Sequence, residues 1–340
     1  MVLRLDKRKI AGFLSLVIAL CLVAMSLYTN VSAENPANEN TYVKWAEMNV
    51  SLAALKDTMK LDIDTYGKLY HISWIDSLSY LACKNGNKWN GYKKAQLDKM
   101  LEELGDVYTV DDLMKENKYY LYYKETFSAM LSGILGVYEK EAPYGQGGKK
   151  LVTGYGLIAY SPVAEGFSYS HYDDFGASRS YGYRRSHLGN DLMGYVGTPI
   201  VAVEGGTVES IGWNRYGGWR IGIRSRDSKR SYYYAHLRKD RPYAEGISQG
   251  VKVKPGQVIG YMGMTGYSDK ENVNGMNVPH LHFGLQLIFD ESQKEGTNQI
   301  WLDVYNLVRL LSQNKATVVK NETTGEYIRK YDITVKDSNI

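Results

Sequence analysis

The rhythm of apolar positions changes partway along the chain. In residues 42–140 they recur at three- and four-residue steps. Trp45, Met48, Leu52, Leu55 and Met59 fall on one stripe, and Leu113, Tyr120, Phe127, Leu131 and Leu135 continue the pattern. That spacing predicts amphipathic helices. Thr109 and Asp112 ahead of Leu113 predict a capped helix start, and Lys84 to Asn90 (KNGNKWN) predicts a turn between helices. From about residue 155 the period becomes two, punctuated by Gly and Pro. Strands are expected at 199–203, 206–213, 219–226, 231–237, 258–263 and 280–289. Lys254-Pro255-Gly256-Gln257 forms a turn signal, and residues 301–313 read as a helix. The class is α+β, a helical N-terminal domain followed by a β domain.

These patterns divide the chain into a leader (1–33), a polar linker (34–41, ENPANENT) and a helical domain (42–143) of unassigned role. A Gly-rich basic linker (144–154, opening YGQGGKK), a β domain (155–312) and a C-terminal tail (313–340) follow. In the leader, basic residues 4–9 precede the uncharged run 10–27, and Val31-Ser32-Ala33 offers a cleavage site. That order is a signal peptide. At about 18 residues the run also approaches the length that spans a bilayer, so a retained N-terminal anchor is the alternative. Either way the remainder faces outward, at the membrane surface or cell wall, or is secreted if the leader is cleaved. Leu20 before Cys21 disfavours a lipoprotein, which needs a small residue there. Past the leader one cysteine is left, Cys83, so no internal disulfide supports the fold.

Charge narrows the field. The formal net charge is +4 over 340 residues, and only +1 once the leader is set aside, which is no nucleic-acid footprint. Arg179, Arg184 and Arg185 form a local cationic run suited to an anionic substrate. Thirty Tyr stand against six Phe. Tyrosine has an apolar ring and a polar tip, so this excess fits half-wet surfaces that meet glycans or peptides, or is a compositional habit.

The candidate chemistry is concentrated in the β domain. His187 and Asp191 are spaced H-x-x-x-D in SHLGND, His280 and His282 are spaced H-x-H in PHLHF, and His236 closes YYYAHL. Alternation puts His280, His282, Gly284 and Gln286 on one face of a strand, and Leu281, Phe283, Leu285 and Leu287 on the other. By the same rule His236 shares a face with Tyr232 and Tyr234. Imidazole and carboxylate are the donors of catalytic zinc sites, where three protein ligands leave a fourth position open. Further histidines there suit proton transfer. Any one of these histidines alone reads as structural, as does His71 in the helical half; their joint occurrence does not.

At these residues the chain resembles the lysostaphin/LytM-type zinc metallopeptidases, in particular clostridial-like members, over roughly 155–312. The resemblance rests on HLGNDLMGYVGTPIVAVEGGTVESIGWNRYGGW, YYYAHL, VKPGQVIGYMGMTG and PHLHFGL, in that order. It implies a mostly antiparallel β fold with a narrow groove over one zinc ion, held by His187, Asp191 and His282. It implies His280 as general base or water-orienting group, His236 as transition-state stabiliser and Tyr181 as an oxyanion partner, with Tyr183 close behind. The implied substrate is peptidoglycan, cut at stem or cross-bridge peptide bonds. Asn190 departs from the family pattern, which has an apolar residue there. The competing readings are a catalytically silent wall or sporulation scaffold with the same fold, and a histidine phosphotransfer domain. The filled ligand positions and the leader oppose them.

Overall fold

The computed structural model describes residues 42–105, 109–181 and 183–336. The leader and polar linker, 1–41, lie outside the described residues. Among the described residues no helix is long and apolar enough to cross a membrane.

Among the described residues five helices come first: α1 (Leu52–Thr65), α2 (Trp74–Asn85), α3 (Lys94–Leu104), α4 (Val110–Met114) and α5 (Tyr120–Leu131). The stripe that begins at Trp45 becomes helical only at α1. Ser51 stops it from extending further back, because its Oγ accepts the Ala54 N–H at 3.3 Å as an N-cap; Trp45 stays exposed. The KNGNKWN turn follows α2, with Gly86 in the left-handed region at φ 62°. Thr109 caps α4 through the Asp112 N–H at 3.0 Å. The apolar repeat over 113–140 is not one helix. Asn117 Oδ1 takes the Tyr119 N–H, a side-chain turn that breaks the run, and the chain turns extended at Leu135.

The strands β1 (Leu135–Tyr144) and β2 (Gly148–Leu157) pair along ten residues each. Residues 144–154, expected as a linker, are therefore the tip and return strand of a hairpin. Next come β3 (Ser170–His171), β4 (Ser178–Arg179), β5 (Arg185–Ser186), β6 (Asn190–Met193), β7 (Pro199–Val201) and β8 (Gly206–Asn214). After them run β9 (Gly218–Ser225), β10 (Arg230–Ala235), β11 (Lys252–Val253), β12 (Val258–Tyr261), β13 (His280–Leu287) and β14 (Ile300–Leu302). The helix α6 (Tyr305–Leu311) is shorter than expected, since 300–302 pair with β13 as strand. The tail holds β15 (Val318–Lys320), β16 (Tyr327–Arg329) and β17 (Ile333–Val335), and β17 extends the hairpin sheet beside β1.

The main sheet is antiparallel throughout and runs β11-β8-β9-β10-β13-β6-β3. Its oily face is the one the alternation predicts: Leu281, Phe283, Leu285 and Leu287 are all buried. Each such side chain contributes about 1.5–3 kcal/mol of burial energy, so a one-residue slip of β13 is strongly disfavoured. That register fixes which side chains reach the opposite face. Residues from Val43 onward pack as one compact unit. Arg230 is buried at the join between helices and sheet. It donates to Ala129 O at 2.6 Å and pairs with Glu204 at 2.9 Å, leaving no unpaired charge there.

Candidate metal centre

On the polar face, β6 and β13 set Asp191 opposite His282. His187 arrives from the turn just before β6. Its Nε2 stands 2.7 Å from His282 Nδ1 and 3.0 Å from Asp191 Oδ1, and His282 Nδ1 is 3.3 Å from the same oxygen. These three donor atoms lie within 4.8 Å of one another, and all three side chains are largely buried. Tetrahedral zinc with bonds of about 2.0–2.1 Å places its ligand atoms about 3.4 Å apart. The observed separations are slightly tighter, so the donor set fits one zinc ion in type, number and spacing. Gly189 makes this approach possible: a Cβ there would fall 2.8 Å from His282 Nε2 and 2.6 Å from Phe283 O.

His187 is held from behind. Its Nδ1 meets Asp174 O at 3.0 Å, which leaves Nε2 free as the donor to metal. Asp174 Oδ1 also accepts the Asp191 N–H at 3.2 Å. Arg179 bridges Asp174 at 2.6 Å to the second oxygen of Asp191 at 3.2 Å. Asp174 and Arg179 thus clamp two donors at once. Sequence reasoning flagged Arg179 only as part of a basic run and missed Asp174, whose role depends on a backbone oxygen that no motif displays.

Burial lowers the His187 pKa, but hydrogen bonds and charge from Asp174 and Asp191 prevail and hold it at about 9 in the metal-free chain. Asp191 moves the other way. Burial raises it, yet His187 and His282 outweigh that and keep its carboxyl far below the usual range. His282 is lowered by burial, partly offset by Asp191.

Two more imidazoles complete the wall. His280 Nδ1 meets Val278 O at 2.9 Å, and His236 Nδ1 meets Thr265 O at 2.8 Å. Each ring therefore keeps Nε2 available. Burial, with His280 and His282 nearby, pushes His236 well below its ordinary value, so it is neutral at neutral pH. The ring centres of His236 and His280 are 4.7 Å apart. The alternation argument placed His236 with Tyr232 and Tyr234, but those two rings pack in the core against Phe283. The strand ends at Ala235, and His236 takes φ 61°. That left-handed residue turns its imidazole into the groove beside Tyr233 and Ala235.

The groove above these residues measures about 680 Å³ and is walled by two loops, through Tyr216 and Gly217 on one and Tyr267 and Met276 on the other. Tyr267 lies 5.9 Å from His236 between ring centres. Tyr181 packs on Tyr267 at 4.9 Å and Tyr183 on Tyr216 at 5.9 Å, so the tyrosine excess is partly spent here. His71 stands away from this site and bonds Asp62 at 2.7 Å. Cys83 is half-buried against the core, and burial pushes its thiol up to about 11. Asn190 is fully buried and explains its own departure from the pattern: Oδ1 accepts the Val304 N–H at 3.0 Å, and Nδ2 donates to Tyr172 O at 3.3 Å. An apolar residue would orphan both partners.

A mononuclear donor set on the floor of an open groove defines a metal centre with room for an extended substrate. Residues 185–296 match the model of Peptidase family M23. The L-Ala--D-Glu endopeptidase of Bacillus subtilis (strain 168) is 42% identical over 141 residues, 40% of this chain and 41% of that protein. Lysostaphin of Staphylococcus simulans is 38% identical over 98 residues, 28% of this chain and 17% of that protein. The matches span less than half the length of these relatives. A solved structure from Ruminococcus gnavus ATCC 29149, named for glycyl-glycine endopeptidase lytM, is 21% identical with a TM-score of 0.53. It covers 80% of this chain and 91% of its own. It shares the fold well beyond residues 185–296.

Proposed function

We propose that this protein is an exported zinc endopeptidase that hydrolyses peptide bonds in the stem peptides or cross-bridges of peptidoglycan. One observation carries the reading: donor atoms of His187, Asp191 and His282 converge within 4.8 Å on the floor of a substrate-sized groove. Zinc held there supplies Lewis acidity and brings the pKa of water toward neutrality. The chain's own residues do the remainder. His280, anchored at Nδ1, takes the proton of the attacking water at Nε2 and passes it to the leaving amine. His236, neutral and fixed by Thr265 O, presents Nε2 to the reacting groups and stabilises the charged transition state. Tyr267 offers its hydroxyl at the groove wall to the developing oxyanion, and Tyr181, packed on its ring, is the second candidate.

The leader, the substrate and the family resemblance support action outside the cell on the wall, with the N-terminal segment as signal or anchor. Residues 42–143 serve as a structural support to the β domain in this reading, since they share its core. The test is direct. Zinc-loaded protein incubated with purified peptidoglycan should generate new amino termini, and Asp191→Ala should generate none. Failure of the wild type to generate any would overturn the proposal.

A further inference from the structure

The groove contains two guanidinium groups that no carboxylate among the described residues neutralises. Arg179 is committed to Asp174 and Asp191, and Lys294 to Glu209 at 2.7 Å. Among the described residues neither Arg185 nor Arg220 meets an acid. Arg185 is stacked between Tyr216 at 4.5 Å and Tyr267 at 5.2 Å, and donates to the Tyr267 hydroxyl at 2.9 Å. Arg220 has far less. Its one side-chain hydrogen bond among the described residues goes to Ser210 Oγ at 3.2 Å, and its Nε is buried without a partner. A cation already stripped of part of its water, with no anion beside it, is prepared for one.

Position makes this specific. Asp191 pairs with His282, and His282 with Ala235. The register that sets Tyr234 opposite Ile221 carries Ala235 to the level of Arg220. Arg220 therefore stands in the same row as the metal donors, two strand spacings or about 10 Å from His282. The floor around it is kept low by Ala235 and Gly222; a Cβ on Gly222 would fall 2.3 Å from Ser210 Oγ. An extended peptide advances about 3.3–3.6 Å per residue, so a group reaching Arg220 lies within about three residues of a bond over the metal. The acids near the groove's far end are Glu209, already paired, and Glu295, exposed at the rim.

We propose that Arg220 is a specificity-determining residue that receives a free carboxylate of the peptide substrate, close to the scissile bond. The inference rests on the peptidase reading above. In a wall peptide that carboxylate belongs either to a γ-linked glutamate or to the peptide's C-terminus. A guanidinium fork suits either one.

The test uses the zinc-loaded full chain on peptidoglycan in three forms: free carboxylates, glutamate α-carboxamides, and C-terminal carboxamides. Fragment release is followed by mass spectrometry. Wild type should cut the free form roughly 10- to 100-fold faster than one of the amide forms, the range for losing a charge-assisted hydrogen bond, and the slower form identifies the source. In Arg220→Gln that ratio should fall to about one. Arg220→Lys keeps charge without the fork, guards against a folding defect, and should give an intermediate ratio. Equal cutting of all three forms by wild type, or an unchanged ratio in Arg220→Gln, overturns the role of Arg220 and leaves the peptidase reading standing. No cutting of any form overturns both.

Discussion

His282 Nδ1 lies 2.7 Å from His187 Nε2, though 95 positions separate them. Two nitrogens approach so closely only when one bears a proton or both share a cation. The pairing of Asp191 with His282 across β6 and β13 enforces the approach, and the buried Leu281 and Phe283 on the reverse face hold that register. The chemistry of the site thus depends directly on the packing of the core.

Removing a donor should abolish metal retention. His282→Ala should weaken zinc binding by more than about 100-fold, beyond what loss of an outer partner causes. Calorimetric zinc titration measures this. An affinity within tenfold of wild type would remove His282 from the ligand set.

The Asp174–Arg179 clamp predicts a smaller, graded effect. Asp174→Asn keeps the backbone bond to His187 but loses the carboxylate that meets Arg179 and the Asp191 N–H. Zinc affinity should drop roughly 10- to 100-fold with the fold intact. Circular dichroism beside the titration separates this from unfolding.

Metal loading should depend on pH with a defined sign. His187 in the metal-free chain titrates at about 9, above its ordinary 6.5. Zinc must displace that proton, so apparent affinity should rise roughly tenfold per pH unit from this group alone, levelling near pH 9. Stability follows the same linkage. The metal-free protein keeps the stabilisation from protonated His187 below about 6.5 and loses it as pH rises to about 9. Thermal melts across that range, with and without zinc, check both statements.

His171 gives the opposite sign. Burial lowers it to about 4, and neither ring nitrogen has a hydrogen-bond partner among the described residues. The folded protein holds it neutral, so its stabilising contribution is present above about 6.5 and is lost as pH falls toward 4. His171→Phe should flatten this acid limb. Parallel melts at pH 4.5 and 7 measure the difference between wild type and variant.

The groove wall separates two tyrosines. Tyr267 lines the groove while Tyr181 packs on its ring. Tyr267→Phe should therefore lower kcat more than Tyr181→Phe. The reverse order would assign the oxyanion contact to Tyr181.

Much of this site is legible in the sequence, for a physical reason. Alternation in β13 separates the two imidazoles from the four apolar side chains, and the H-x-x-x-D and H-x-H spacings survive any loop shape. What escaped was set by single backbone conformations and distant partners. His236 left its expected face through one positive φ, at a residue that period-two reasoning carries straight on. Asp174 acts partly through its carbonyl. The hairpin at 135–157 was hidden because Gly145 and Gly147 signal a turn as readily as a linker. Ser51 and Asn117 fragmented helices whose apolar stripe ran through them.

Anomalous diffraction at the zinc edge from crystals of the zinc-loaded protein tests the central claim most directly. The account predicts one peak per chain, about 2.0–2.2 Å from His187 Nε2, Asp191 Oδ1 and His282 Nδ1. A peak bound elsewhere, or none within reach of these three atoms, would contradict it.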